Sequence, residues 1–377
     1  MNIEQKTILF SEYKVGNSVD SFGFVPDLVL IFGESKFLNE SGIPAAYKDL
    51  YKDCIVTGCS TSGEIYDQTV SDNSLSITAI KFEKTRLEFH SVSASTNSEN
   101  AGHELVKKFS AEGMRHLFLL SDGLKVNGSD LVEGILKVLP NDVNVTGGLA
   151  GDGADFKITY VVDDGKVETG VISAVAFYGE SIEVGYGSLG GWTSFGIERS
   201  VTRSEGNILY ELDSLPALEI YKSYLGDQAD KLPASGLLFP LSLRTDPEKE
   251  PVVRTILAID DEAQSMTFAG DIQEGAYVKL MKANVDGLID GAEGAAKVSY
   301  VKGTTSPPEC AILISCVGRK LVLKQLVEEE VEAVKEVLGE QCYLTGFYSY
   351  GELAPFQQGT ACELHNQTMT ITTFSEK

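Results

Sequence analysis

The sequence predicts an α+β fold in which layered mixed β-sheets are flanked by helices and divided into two related domains. Three observations carry this. Short apolar runs of buried-strand length alternate with segments of helical periodicity along the 377 residues. A strand-loop pattern, T-G-x-x-[ST]-x-G-E-[IL], occurs at Cys54–Ile65 and again at Cys342–Leu353, and a shortened form, T-G followed by G-D, occupies Val143–Asp152. A Gly-rich stretch of different texture separates the two halves.

The elements follow in order. Asp27–Phe32 (DLVLIF), His116–Leu120 (HLFLL) and Ala311–Cys316 (AILISC) read as buried strands. Each precedes a helical segment, then a strand with its T-G loop, then another apolar strand: Leu75–Phe82, Val171–Phe177 and Met369–Phe374. That order defines a β-α-β-loop-β unit near residues 27–82, 116–177 and 310–374, too irregular in period for a solenoid and consistent with divergent duplication. Gly179–Arg203 alternates β-formers with Gly pairs, holds the only tryptophan, Trp192, and reads as hairpin strands at the junction. A boundary near residue 200 gives domains 1–200 and 201–377. Ala217–Leu225 reads as a helix, with Pro216 in its first turn, Asp213 or Ser214 as cap and Gly226 as stop. Val285–Tyr300 is a further helix capped by Asn284, weakened by four glycines between 287 and 303. In Gly318–Leu338 apolar residues at 322, 326, 327, 331, 334 and 338 give helical spacing, and Gly339 ends the run.

Composition excludes several functions. Lys plus Arg is 31 against 55 for Asp plus Glu, a net charge of −24. Such a surface repels phosphate backbones and anionic lipid, and no basic run offsets it, so neither nucleic acid nor membrane is an expected partner. No apolar run approaches the ~18 residues of a membrane span, and the start, MNIEQKTILFSEYK, lacks the pattern of a signal peptide. A cytoplasmic protein is expected. The six cysteines (54, 59, 310, 316, 342, 362) make no C-x-x-C pair and read as reduced core residues. With four histidines (90, 103, 116, 365), chemistry that needs several is nearly excluded. No G-x-S-x-G elbow or H-E-x-x-H helix is present, so no catalytic activity is expected, and none of the three T-G loops matches G-x-G-x-x-G or a Walker loop.

The loops also carry a family resemblance. Gly58–Ile65 (GCSTSGEI) and Gly147–Asp152 (GGLAGD) resemble signatures of the FIST N-terminal domain. Asn207–Asp213 (NILYELD), Pro216–Glu219, Gly318-Arg319, Gly346–Glu352 (GFYSYGE) and Leu364–Thr368 (LHNQT) resemble the FIST C domain. No kinase, chemoreceptor or F-box segment accompanies them, so the chain resembles a stand-alone FIST protein. The resemblance implies a sensory module that binds a small ligand, with amino acids proposed for the family, and feeds a signal-transduction partner. One stand-alone bacterial branch, NosP, is similar in size and layout. It implies haem as cofactor, nitric oxide as signal and a histidine kinase as partner. A sensor of an amino acid or other small carboxylate is the alternative, and a non-enzymatic interaction scaffold is the third reading.

With the resemblance in hand, particular residues gain roles. His365 would serve as the haem axial ligand, since a single neutral imidazole leaves the opposite face open to nitric oxide; the plainer reading is a hydrogen-bonded histidine at a strand start. Aligned by its strand, the first unit has Ser71 in that place. Arg319, with Cys316 at a strand end running into a helix start, would clamp a carboxylate or haem propionate; the plainer reading is a surface salt bridge in an acidic protein. Tyr348, Ser349, Tyr350 and Glu352 fill the third loop where the first has Ser60, Thr61, Ser62 and Glu64. The tyrosines would line a flat ligand or pack in the core. Asn366, beside His365, completes the expected ligand-binding set. His90, His103 and His116 read as structural or solvated. The main pocket is expected to touch the third loop and extend toward Trp192.

Overall fold

The computed structural model describes residues 1–14, 18–94, 97–246, 251–303 and 306–377. Three units repeat one strand order. The first comprises β1 (Asn2–Leu9), β2 (Leu28–Glu34), α1 (Ser35–Ser41), α2 (Ile43–Leu50), β3 (Ile55–Thr61), β4 (Glu64–Tyr66), β5 (Thr69–Ser71) and β6 (Ser74–Lys81). The second comprises β7 (Arg86–Ser93), α3 (Ser98–Val106), β8 (Met114–Ser121), α4 (Gly128–Leu136), β9 (Asn144–Leu149), β10 (Val161–Asp163), β11 (Lys166–Glu168) and β12 (Val171–Tyr178). The third opens with β13 (Ile182–Leu189) and is then interrupted by a small β-rich domain: β14 (Thr193–Glu205), β15 (Ile208–Leu212), β16 (Leu215–Pro216), α5 (Ala217–Leu225), β17 (Leu241–Arg244), β18 (Val252–Arg254), β19 (Ile256–Asp260), β20 (Ser265–Phe268) and β21 (Tyr277–Lys282). It resumes with α6 (Val285–Ser299), β22 (Cys310–Cys316), α7 (Val317–Leu323), α8 (Val327–Leu338), β23 (Tyr343–Ser349), β24 (Gly351–Pro355), β25 (Cys362–His365) and β26 (Met369–Glu376).

The three body sheets have matching orders: β1-β6-β2-β3-β10-β11, β7-β12-β8-β9-β24-β25 and β13-β26-β22-β23-β4-β5. Each unit lays four strands in its own sheet and lends its hairpin to the preceding unit, the first lending to the third, in a closed cycle. The two expected halves therefore share sheets, and residue 200 falls inside β14. The inserted domain is an eight-stranded sheet of its own.

Register proves the repeat. Gly58, Gly147 and Gly346, the glycines of the three T-G pairs, lie opposite Ile31, Leu119 and Leu313 on the parallel neighbour. A Cβ on any of them would sit 1.8–1.9 Å from that residue's carbonyl oxygen, so the close strand approach requires glycine. The central strands β2, β8 and β22 are buried on both faces. Leu28, Leu30 and Phe32 face a central core shared with Phe118, Leu120, Ile312 and Ile314. Val29 and Ile31 face the outer layer under α1 and α2. This explains why these runs are continuously apolar rather than alternating.

Three backbone hydrogen bonds link the loops in a ring: Ser62 N–H to Tyr348 O, Gly151 N–H to Ser60 O and Tyr350 N–H to Leu149 O, at 2.8, 2.9 and 3.1 Å. The T-G loops thus tie the units to one another, which gives their shared sequence a structural reason.

Four expectations change. In the second unit the residue equivalent to Glu64 and Glu352 is Val161, not Asp152, because Cys59, Gly148 and Phe347 pair with Val161, Glu352 and Glu64. An extra loop separates Asp152 from β10, and Asp152 instead accepts the N–H groups of Phe156, Lys157 and Ile158. The strands of 179–203 form no hairpin: β13 pairs with β26, whereas β14 leaves for the inserted domain. The long helix at 318–338 is two, α7 and α8, joined by a 3-10 turn at Lys324–Leu326 with Lys324 at φ 53°. Helix α5 has no side-chain cap, because Asp213 and Ser214 take positive φ in the turn before it.

Among the described residues no helix is long and apolar enough to cross a membrane. All six cysteines are free and buried.

Candidate functional site

The inserted domain docks on the third unit's β25–β26 turn. Trp192 Nε1–H donates to Gln367 O at 2.8 Å, Arg254 Nη1–H donates to Leu364 O at 3.0 Å, and Gln367 Nε2–H donates to Leu237 O at 3.3 Å. In the first unit the equivalent turn, Asp72-Asn73, is exposed; here Asn366 and Gln367 are fully buried.

Three cavities flank this contact; one of about 400 Å³ between α4 and the insertion is polar, with Asp130, Glu133, Arg254, Asp271 and Glu363 in its walls, and the other two are mostly apolar. The first of these two holds about 370 Å³ between body and insertion. Its body wall is the 123–127 loop after β8, Phe156, the strand end Cys316-Val317 and Tyr350; its other wall is Asn207, Thr255, Leu257 and Phe268–Gly270 of the insertion. The surface is mostly apolar. Tyr350 stacks on Phe156 with centroids 4.5 Å apart and hydrogen-bonds Asp152 through its hydroxyl. Thr255 is 4% exposed, and its buried Oγ1 has no hydrogen-bond partner. A buried hydroxyl left unpaired costs ~1–3 kcal/mol, so it marks a place for a partner.

The second cavity, about 290 Å³, is bounded by Leu189–Trp192, Val253, Met281, Phe356, His365 and Thr368. His365 sits opposite Glu352, as Ser71 sits opposite Glu64. Its Nε2 lies 2.8 Å from Ala354 O. A carbonyl only accepts, so Nε2 carries the proton and Nδ1 keeps its lone pair. That Nδ1 is buried and unpartnered. Burial pushes the imidazole pKa down to about 4, against the hydrogen bond to Ala354 and with help from Arg254, so the ring is neutral at pH 7.

The structure disperses the remaining expected site residues. Arg319 lines neither cavity. It is fully buried, donating Nε–H and Nη2–H to Glu330 Oε2 at 3.0 and 2.7 Å, Nη1–H to Gly190 O and Nη2–H to Leu288 O. Gly190 and Leu288 lie on the two chain crossings that lead to and from the insertion. At that crossing a Cβ on Gly191 would fall 1.7 Å from Gly287 O, and one on Gly287 or Gly291 would fall 2.7 Å from Gly191 O or 2.8 Å from Gly190 C, which accounts for the glycines at 191 and inside α6. Tyr348 O–H and Ser315 O–H donate to Glu330 Oε1 at 2.6 and 3.0 Å, completing a buried network. The anion clamp expected of Arg319 is therefore corrected to an internal ion pair: its donors are spent on Glu330 and two linker carbonyls.

Glu352 accepts from Ser349 Oγ and from Thr368 N and Oγ1; Glu64 accepts equivalently from Thr61 Oγ1 and Ser74 N and Oγ. Burial raises their pKa values to about 8 and about 7 despite these bonds. In the second unit Asp122 takes over, accepting Gly170 N–H at 2.7 Å. Ser349 and Glu352 therefore secure turns rather than line a cavity, whereas Asn366 donates Nδ2–H to His365 O at 3.0 Å and leaves its buried Oδ1 without a partner. Cys316 does line the first cavity, with its thiol pKa pushed up by burial. Of the residues expected from sequence, Cys316 and Tyr350 meet at one cavity and His365 at the other. Thr255, Leu257 and Phe268–Gly270 were missed because nothing in their local sequence sets them apart; the one clue was the long interruption between β13 and β22. Among the described residues no group of three or more His, Cys, Asp or Glu side chains is placed to hold a metal ion.

Comparison with known proteins places this architecture. No curated protein matches the chain. Among solved structures, a crystal structure of cyanuric acid hydrolase from A. caulinodans aligns with 78% of this chain and 99% of its own, at 9% identity and a TM-score of 0.19, too low to carry any inference. Family profiles match decisively: the FIST N domain over residues 27–214 and the FIST C domain over residues 217–355. Nearly the whole chain is thereby accounted for, and it belongs to the FIST family, whose domains are associated with small-ligand sensing in signal transduction.

Proposed function

We propose that this chain is a non-enzymatic ligand-sensing protein of signal transduction whose small molecule occupies the 370 Å³ cavity between body and insertion. Thr255 carries the reading: a buried hydroxyl without a partner, in a mostly apolar cavity whose walls come from two units and the inserted domain. A ligand held there touches both sides of the junction, so occupancy changes how firmly the insertion is held. That change is the signal passed on, with a histidine kinase as the partner the family resemblance suggests. Ala269 lines the cavity and is half-buried, so Ala269→Phe fills the void. A small-molecule panel should raise the melting temperature of the wild type and not of Ala269→Phe. Equal shifts in both would refute the assignment.

A second reading places haem on His365 with nitric oxide as the signal. It is favoured by the unpaired Nδ1, whose ring is oriented through Nε2–H to a backbone carbonyl as metal-binding histidines are. Space opposes it. A cavity of about 290 Å³ sits at the small end of ligand pockets, roughly 300–1,000 Å³, and a porphyrin with two propionates exceeds it. Haem fits the nitrogen and not the void.

A further inference from the structure

We infer that the junction cavity is built for a neutral, largely apolar planar molecule bearing one hydrogen-bonding group, and that it rejects free amino acids and other carboxylates. The inference rests on the reading that this cavity is the ligand site. Of its lining side chains only Lys125 is charged; it is exposed at the mouth and already bonded to Thr169 Oγ1 at 2.9 Å. Arg319, the cation expected to meet a carboxylate, is consumed inside the body. A carboxylate entering would lose its water without gaining a buried cation, and the protein's net charge of −24 adds repulsion. What the cavity does offer is aromatic and aliphatic surface plus the unpaired Thr255 Oγ1. Phe156 and Tyr350 stack face to face at one wall and Phe268 lies on the other, so a flat ring finds flat neighbours. The rim is apolar as well: Leu124, Phe156 and Leu257 are 41–44% exposed at the mouth.

The test is calorimetric titration of the full chain with matched pairs: indole against indole-3-acetate, benzyl alcohol against benzoate, and phenethyl alcohol against L-phenylalanine. Neutral members should bind at least tenfold tighter than their charged counterparts, and Ala269→Phe should abolish that binding. Thr255→Val, which keeps shape and removes the hydroxyl, should weaken indole about tenfold, as loss of one hydrogen bond requires, and leave N-methylindole unchanged. Charged members binding as tightly as neutral ones, with loss in Ala269→Phe, would overturn the inference and leave the cavity as the site. Absence of binding by every neutral member, or binding indifferent to Ala269→Phe, would overturn both.

Discussion

Replacing Arg319 with Met separates a structural from a ligand-binding role for that residue. The side chain is 0% exposed and paired with an equally buried Glu330. Removing one partner of such a pair costs ~3–5 kcal/mol, because the other charge stays buried without compensation. The carbonyls of Gly190 and Leu288 also lose their donor, each worth ~1–3 kcal/mol. Against a total stability of ~5–15 kcal/mol, Arg319→Met should sharply lower the urea midpoint. The loss should register first at the linker, where Trp192, the only tryptophan, follows Gly190 and Gly191 and reports by its fluorescence. Adding Glu330→Gln should recover ~1–3 kcal/mol, the coupling expected of contacting residues. A wild-type urea midpoint for Arg319→Met, combined with lost binding of a carboxylate probe, would refute the ion-pair account and restore the clamp.

Other outcomes follow from the same geometry. Gly346→Ala drives a Cβ to 1.9 Å from Leu313 O and should cost about 3 kcal/mol or more, whereas Gly23→Ala, whose nearest neighbour is Glu4 Oε2 at 3.5 Å, should be nearly neutral. Glu64 and Glu352 have folded pKa values of about 7 and about 8, above the ordinary 4.5, so their stabilisation is complete below pH 4.5 and fades as pH rises to 8. Each should contribute a slope of at most about 1.4 kcal/mol per pH unit; Glu352→Gln should flatten the profile in urea denaturation, and an unchanged profile would count against it. With haemin added, a Soret band that His365→Ala removes, while His103→Ala does not, would support the haem reading; an identical spectrum in His365→Ala would eliminate His365 as ligand.

The body was legible in the sequence because its constraints are local and repeated. The T-G glycines are fixed by carbonyl oxygens under 2 Å from a notional Cβ, and the doubly buried strands β2, β8 and β22 appear as unbroken apolar runs. Equivalence of His365 with Ser71 followed from strand alignment because each pairs with the acidic residue of its own hairpin. Exchange of hairpins between units was not legible, since the pairing of β4 with β23 joins residues far apart in the chain. The site suffered more. Arg319 looked like an anion clamp because a Gly-Arg after a buried strand is compatible with either role, and only Glu330 eleven residues later, packed against it, decides. Thr255 gave no signal at all, because its importance lies in the absence of a partner.

The most direct measurement of where the ligand sits is hydrogen exchange on the full chain with and without saturating indole. The junction-cavity account predicts slowed exchange in 123–127, 255–257, 268–270 and 316–317, the segments that wall that cavity. Slowing confined to 189–192 and 365–368, around Trp192 and His365, would move the site to the other cavity and contradict the account.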